Sequence, residues 1–175
     1  MIGDLSALPH QLNARRECRA IVETARGSRQ KIGYDPTTGA FRLRHVLADG
    51  MTFPVDFGFI PSTKAEDGDA LDVMVYGDEP LFAGCLVDVR LIGVVEGTQT
   101  DKREAVRNDR LMAVPLVTRR YGEVRSLDDL PAGLVDEITA FWVEYNRLRG
   151  RTFEVLDIGD AARAVELVKA ASVPA

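Results

Sequence analysis

The order of hydrophobic periods predicts an α+β, mainly β fold: a small closed OB-like β-barrel with two C-terminal helices packed outside. Three observations lead there. Between Cys18 and about Leu116 the chain is a series of short β-branched, aromatic or alternating runs, 18–25, 30–34, 41–47, 71–76, 86–96 and 111–117. Beyond residue 130 the spacing changes, with Leu134, Ile138, Phe141, Tyr145 and Leu148 four, three, four and three apart, as on one helical face. Strands come first and helices last, which favours an antiparallel, closed sheet with helices outside over alternating βαβ units.

Each element has a local reason. Asp35-Pro36-Thr37-Thr38-Gly39 is turn chemistry, because Pro presets φ and Gly accepts a positive one, so the flanking runs pair as a hairpin. Gly150 ends the first helix. Residues 151–156 then read as a last strand, and 160–171 as a second amphipathic helix with Val165, Leu167 and Val168 toward the core. The first fifteen residues carry no functional signal and are expected to form a terminal helix or arm.

Length and composition bound the function. A chain of 175 residues, 46% apolar, suits one domain over 1–175 that folds without disulfide or metal, so any metal site serves function. The formal charge of −5 argues against a nucleic-acid or anionic-membrane partner that needs a basic surface. Cys18 and Cys85 lack metal-ligand spacing and build no disulfide framework, which points to a reducing, cytoplasmic setting. There is no 18-residue apolar run, and residues 1–13 lack the pattern of a secretory leader.

The chemistry is concentrated in Glu66-Asp67-Gly68-Asp69-Ala70-Leu71-Asp72-Val73, followed by Asp78 and Glu79. Seven acids fall between Ala65 and Val89 with no Lys or Arg among them. Carboxylates so close raise one another's pKa unless they face water or a cation. A hard divalent ion resolves the conflict, since Mg²⁺ takes oxygen ligands, keeps several waters and is shared between carboxylates and phosphate. Spacing alone leaves a solvated acidic turn as an equal alternative. An EF-hand is excluded, because counting from Asp67 puts Leu71 and Asp72 where that loop needs an oxygen ligand and Gly.

The run Phe53-Pro54-Val55-Asp56-Phe57-Gly58-Phe59-Ile60-Pro61-Ser62-Thr63, followed by Asp67-Gly68-Asp69-Ala70-Leu71-Asp72-Val73, resembles the signature region of the soluble family I inorganic pyrophosphatases in order and spacing. The resemblance extends from about Glu23, through Gly27-Ser28-Arg29-Gln30-Lys31, to Ala113-Val114-Pro115 and the helix carrying Tyr145. It implies a small β-barrel enzyme that hydrolyses diphosphate to two phosphates with several Mg²⁺ ions, as a homo-oligomer, in bacteria often a hexamer. By position, it makes Asp67 and Asp72 metal ligands and Asp69 the base that takes a proton from a metal-bridging water. Lys31 and Tyr145 become phosphate-binding residues, and Glu23 sits at the edge of the site.

Several positions depart from the family pattern. Gly33 stands where the family carries a metal-associated Glu, and His45 stands for a phosphate-binding Arg. Phe53 and Phe57 replace two tyrosines, and Asn146 replaces a phosphate-binding Lys. Asn108 occupies the place of a metal-bridging Asp, with Arg110 in that of a Lys. The segment 97–110 is longer than its counterpart; within it Asp101 is the first candidate for a remaining metal ligand, with Glu104 and Asp109 as rivals. Arg42 and Arg44 on one strand face, with Lys102, Arg103, Arg107, Arg119 and Arg120 on nearby segments, offer compensating charge or, as such runs more often do, form a solvated face. Losing two phosphate cations, at roughly 1.5–3 kcal/mol each, predicts hydrolysis slower by about tenfold to more than a thousandfold. The competing reading is a non-catalytic or altered-specificity descendant that binds a phosphorylated ligand on the same fold.

Overall fold

The computed structural model describes residues 4–102 and 104–174. A single 3-10 turn at Leu5–Ala7 precedes β1 (Glu17–Thr24), β2 (Gln30–Asp35), β3 (Ala40–Val46), β4 (Asp56–Phe59), β5 (Asp72–Val75), β6 (Leu86–Asp101), β7 (Glu104–Arg107) and β8 (Arg110–Pro115). Helix α1 (Leu134–Arg147), strand β9 (Thr152–Asp160) and helix α2 (Ala161–Ala171) follow. Among the described residues no helix is long and apolar enough to cross a membrane.

Pairing runs β1–β4–β5–β8–β6, and β6 pairs back onto β1, closing a five-stranded ring; β7 and β9 add to the far half of β6. The ring is not wholly antiparallel as expected. Strands β5 and β8 run parallel, from Asp72 opposite Arg110 to Val75 opposite Ala113, because the long excursion through β6 and β7 returns the chain in the same direction. Strand β6 also continues past its expected end at Glu96, with irregularities between Leu91 and Gly93 and between Glu96 and Gly97, into a hairpin with β7. The expected hairpin at Asp35–Gly39 forms between β2 and β3, and the described part of the N-terminal segment is an arm with one 3-10 turn.

Helix α1 covers one side of the ring through Ile138, Trp142 and Tyr145, which pack on Phe53, Phe57, Met74, Ile92 and Met112. The buried Trp142 indole donates to Met74 Sδ at 3.0 Å. Leu148, expected on this face, lies just past the helix and is exposed. On the other side α2 buries Ala161, Ala164 and Val168, while Val165 and Leu167 are only partly covered. Small residues at the contact let this helix lie close.

Gly58 on β4 shows how tightly the ring is drawn. A Cβ there would fall 1.9 Å from the Ile21 carbonyl oxygen of β1, so a side chain must force two paired backbones apart. Gly58→Ala is expected to destabilise the protein by about 2–3 kcal/mol or more, read as a lower urea midpoint. Gly122→Ala, where an added Cβ meets nothing, should move it by less than about 0.5 kcal/mol. Unfolding of Gly58→Ala at the parent midpoint would contradict this packing.

Candidate active site

A cleft of about 800 Å³ opens beside the ring, lined by β2, the loop after β4, the ends of β6 and β8, and the end of α1. Lys31 and Gly33, two apart on β2, both face it. The Lys31 ammonium lies 3.5 Å from Glu23 Oε2 of β1 and 3.7 Å from the centroid of the Phe57 ring. Burial pulls the Lys31 pKa down, and the charge of Glu23 opposes that pull. At the start of β8 the Arg110 guanidinium lies between the rings of Trp142 and Phe153, at 4.1 and 4.3 Å. Aromatic faces accept a cation without hydration water, so two cations stand on an apolar floor.

Arg110 faces Asp72, with Nε 3.9 Å from Oδ2. Asp72 sits on the cleft bottom, where burial pushes its carboxyl up to about 7 despite the nearby charges of Arg110 and Lys31. Asp67 and Asp69 ride the loop between Thr63 and Leu71. The Asp69 backbone N–H donates to Asp67 Oδ1 at 3.1 Å, while Asp67 Oδ2 faces Asn108 Nδ2 at 3.4 Å. Burial also raises the Asp67 pKa. Both chain ends brace the loop base: Ser62 N–H donates to the Ser6 carbonyl, Lys64 N–H to Ala171 and Val173 N–H to Ser62. Ser62 itself holds a positive φ of 51°, and its hydroxyl donates to the Leu8 carbonyl.

On the opposite wall the Tyr145 hydroxyl accepts from Arg149 Nη1 at 3.2 Å and lies 2.7 Å from His45 Nε2. A guanidinium only donates, whereas a phenol oxygen both donates and accepts, so Tyr145 is held between Arg149 and His45 whichever imidazole nitrogen carries the proton. Burial and the charges of Arg149, Lys31 and Arg151 hold the His45 pKa down at about 4.

Of the residues expected from sequence, Lys31, Asp67, Asp69, Asp72, Asn108 and Tyr145 line the cleft together. His45 stands behind Tyr145 and is not among the lining residues. Nor is Asp101, whose carboxylate is held by Arg151 at 2.8 Å. Its rival Asp109 is buried, accepting from the Gly97 N–H and from Arg107 Nε. The residue of β6 that does reach the cleft is Gln99, two positions before Asp101 on the same strand face; an amide in place of a carboxylate gave the sequence no signal. Arg149 and Arg151, also in the lining, follow α1 and are not among the candidates read from the sequence.

The donor set of Asp67, Asp69, Asp72 and the Asn108 carbonyl is all hard oxygen and suits Mg²⁺. Among the described residues no three His, Cys, Asp or Glu side chains gather closely enough to enclose an ion. Mg²⁺ is usually bound by one or two carboxylates with water and phosphate completing its shell, so this spacing fits a site that the substrate helps to close.

The family model described as inorganic pyrophosphatase matches residues 20–173. The chain belongs to the inorganic pyrophosphatase family. It is 38% identical over 152 residues to an inorganic pyrophosphatase of Halalkalibacterium halodurans, covering 85% of this chain and 89% of that one. An inorganic pyrophosphatase of Synechocystis is 36% identical over 166 residues, 95% of each chain. The crystal structure of inorganic pyrophosphatase from Thermus thermophilus superposes with a TM-score of 0.89 at 33% identity, covering 97% of both chains.

Within that family frame the departures acquire physical reasons. Phe53 and Phe57 are buried and pack against Trp142, so they build the floor under Lys31 and offer no hydroxyl. Asn146 is fully buried and donates back to the Trp142 carbonyl at 2.9 Å, facing the core instead of the cleft. His45 is an imidazole held uncharged near neutral pH and hydrogen-bonded to Tyr145.

The depressed His45 pKa has a sign. The unfolded chain takes up this proton near 6.5 and the folded one only near 4, so stability falls as pH drops from about 6.5 toward 4. Imidazole NMR should show His45 unchanged between pH 8 and about 5.5. Titration near 6.5 would contradict the burial of His45 beside Arg149, Lys31 and Arg151.

Proposed function

We propose that this protein hydrolyses inorganic diphosphate to two phosphates with Mg²⁺ as its metal. The observation that carries the reading is the placement of Asp67, Asp69 and Asp72 opposite Lys31 and Arg110 in one cleft. A highly charged anion needs cations on one side and a proton acceptor on the other.

Asp67, Asp72 and the Asn108 carbonyl would hold the metal. When bound, Mg²⁺ acidifies water and neutralises charge on phosphate oxygens. Asp69, on the exposed crest of the loop, takes the proton of the attacking water at a carboxylate oxygen. The water oxygen bonds to phosphorus while the bridging P–O bond breaks, and its electron pair stays on the departing phosphate. Lys31 and Arg110 hold that phosphate's oxygens, and the aromatic floor beneath them excludes water, which strengthens the attraction. Tyr145, fixed between His45 and Arg149, lines the wall where the second phosphate rests.

Phosphate release from diphosphate with excess Mg²⁺ is the test. Asp69→Asn should lower kcat by about a hundredfold or more, as for loss of a general base. Equal rates for the two proteins would overturn the assignment. A second reading, binding of a phosphorylated compound without turnover, draws on the amide of Asn108 in place of a charge. It predicts binding heat with no phosphate released.

The same proposal takes residues 1–175 as a single domain and the working form as a homo-oligomer, a hexamer by family likeness, in the cytoplasm. Exposed Val143, Leu148, Leu156 and Ile158 on α1, just past it and on β9 support an oligomer. The two free cysteines, Cys18 and Cys85, support a reducing compartment.

A further inference from the structure

The cleft carries more positive charge than its carboxylates balance. Among the described residues its lining includes six cations, Lys31, Arg44, Lys64, Arg110, Arg149 and Arg151, against four carboxylates, Glu23, Asp67, Asp69 and Asp72. The protein as a whole has a formal charge of −5, so the excess is local. Glu23 and Asp72 are occupied by Lys31 and Arg110. That leaves Arg44, Lys64, Arg149 and Arg151 against Asp67 and Asp69; Arg151 meets Asp101, while Arg44 and Arg149 make no ion pair among the described residues.

Backbone geometry explains how Arg44 comes to face inward. Lys31 pairs with His45, but its neighbour Ile32 pairs with Leu43, which leaves Arg44 as the extra residue of a β-bulge. A bulge re-aims side chains. Here it lets the consecutive residues Arg44 and His45 serve one side of the hairpin, Arg44 in the cleft and His45 behind Tyr145. Gly33 completes the arrangement: a Cβ on it would lie 2.8 Å from Arg44 Nε, so the guanidinium passes over the bare glycine backbone, and Arg44 Nη2 donates to the Tyr34 carbonyl at 2.9 Å. A side chain at 33, such as the Glu of the family pattern, would require the Arg44 side chain to move from this path.

The helix makes a matching change. Residue 146 has become a core amide, and three residues on, Arg149 is exposed and bonded to the Tyr145 hydroxyl. Arg151 follows, with one Nη on Asp101 and further donors left over.

We infer that Arg44, Arg149 and Arg151 form a displaced phosphate clamp that binds a phosphate or diphosphate anion directly, without a divalent metal. Charge absent at His45 and Asn146 is restored one residue along the strand and three along the helix. Guanidinium groups suit this task because they present paired donors in a plane. The inference rests on the proposed phosphate chemistry of this cleft but not on turnover.

Calorimetric titration with inorganic phosphate, and with the P–N–P analogue imidodiphosphate, in excess EDTA at near-physiological ionic strength tests it. The unmodified protein should bind both. Arg44→Ala and Arg149→Ala should each weaken binding roughly tenfold to a hundredfold. Arg149→Lys should recover part of that loss, and Arg15→Ala, exposed and outside the cleft lining, should change nothing. Arg44 and Arg149 are both solvent-exposed, and unchanged melting curves will verify that the variants fold. Absence of binding in EDTA, or equal affinity in the Arg44→Ala/Arg149→Ala double variant, would overturn the clamp. Should Asp69→Asn hydrolyse as fast as the parent while EDTA binding still depends on both arginines, the hydrolase reading falls and the clamp stands. Should Mg²⁺-dependent hydrolysis hold while the double variant binds normally, the clamp falls alone.

Discussion

Arg110 against Asp72, and Lys31 against Glu23, are ion pairs drawn down onto Trp142, Phe153, Phe57 and Phe53, and the rest of the site depends on that arrangement. Removing charges from water is expensive, and a buried pair gains little net stability. Its value here is positional. Each cation is fixed by an aromatic face and one carboxylate, so hydrogen-bonding capacity remains for a third, anionic partner. Arg110 Nε has no hydrogen-bond partner among the described residues.

The fold supplies rigid supports for those groups. Asp72 and Arg110 meet because β5 and β8 run in parallel register; Lys31 and Gly33 face the cleft from one strand, and Tyr145 comes from the inner face of α1. The acidic loop lacks such a frame of its own and borrows one, since segments at both ends of the chain hydrogen-bond to its base at Ser62 and Lys64. Its Asp67 and Asp69 stay exposed, where ions and substrate can reach them. Exposed crest and buried floor divide the work: one side meets what enters, the other holds its charge.

Periodicity makes the hairpin at Asp35–Gly39, the two helices and the strands-then-helices order legible in the amino-acid sequence. The parallel β5–β8 pair is not legible there, because a strand's direction relative to a distant partner leaves no local pattern. In the site, the spacing of Asp67, Asp69 and Asp72 carries a family resemblance that the relatives and solved structures bear out. Lone charges are harder to read. Asp101 looks like a ligand in sequence, but Gln99, two residues earlier on the same face of β6, lines the cleft, and Asp101 is taken up by Arg151. Arg44 and His45 exchange expected parts through a single bulge, and Asn146 turns into the core; none of these orientations has a sequence signature, since a one-residue shift in a strand reverses which side chain faces the ligand.

The proposed chemistry requires the carboxylates and amide on one side of the cleft, with the cations on the other, to converge on a metal ion and a phosphate anion. Anomalous diffraction from crystals grown with Mn²⁺, as an oxygen-seeking substitute for Mg²⁺, and imidodiphosphate tests it most directly. An ion peak between Asp67 and Asp72 and analogue density within reach of Lys31 and Arg110 are the expected result. Well-ordered side chains with no peak between them, and the analogue absent or seated elsewhere, would contradict it.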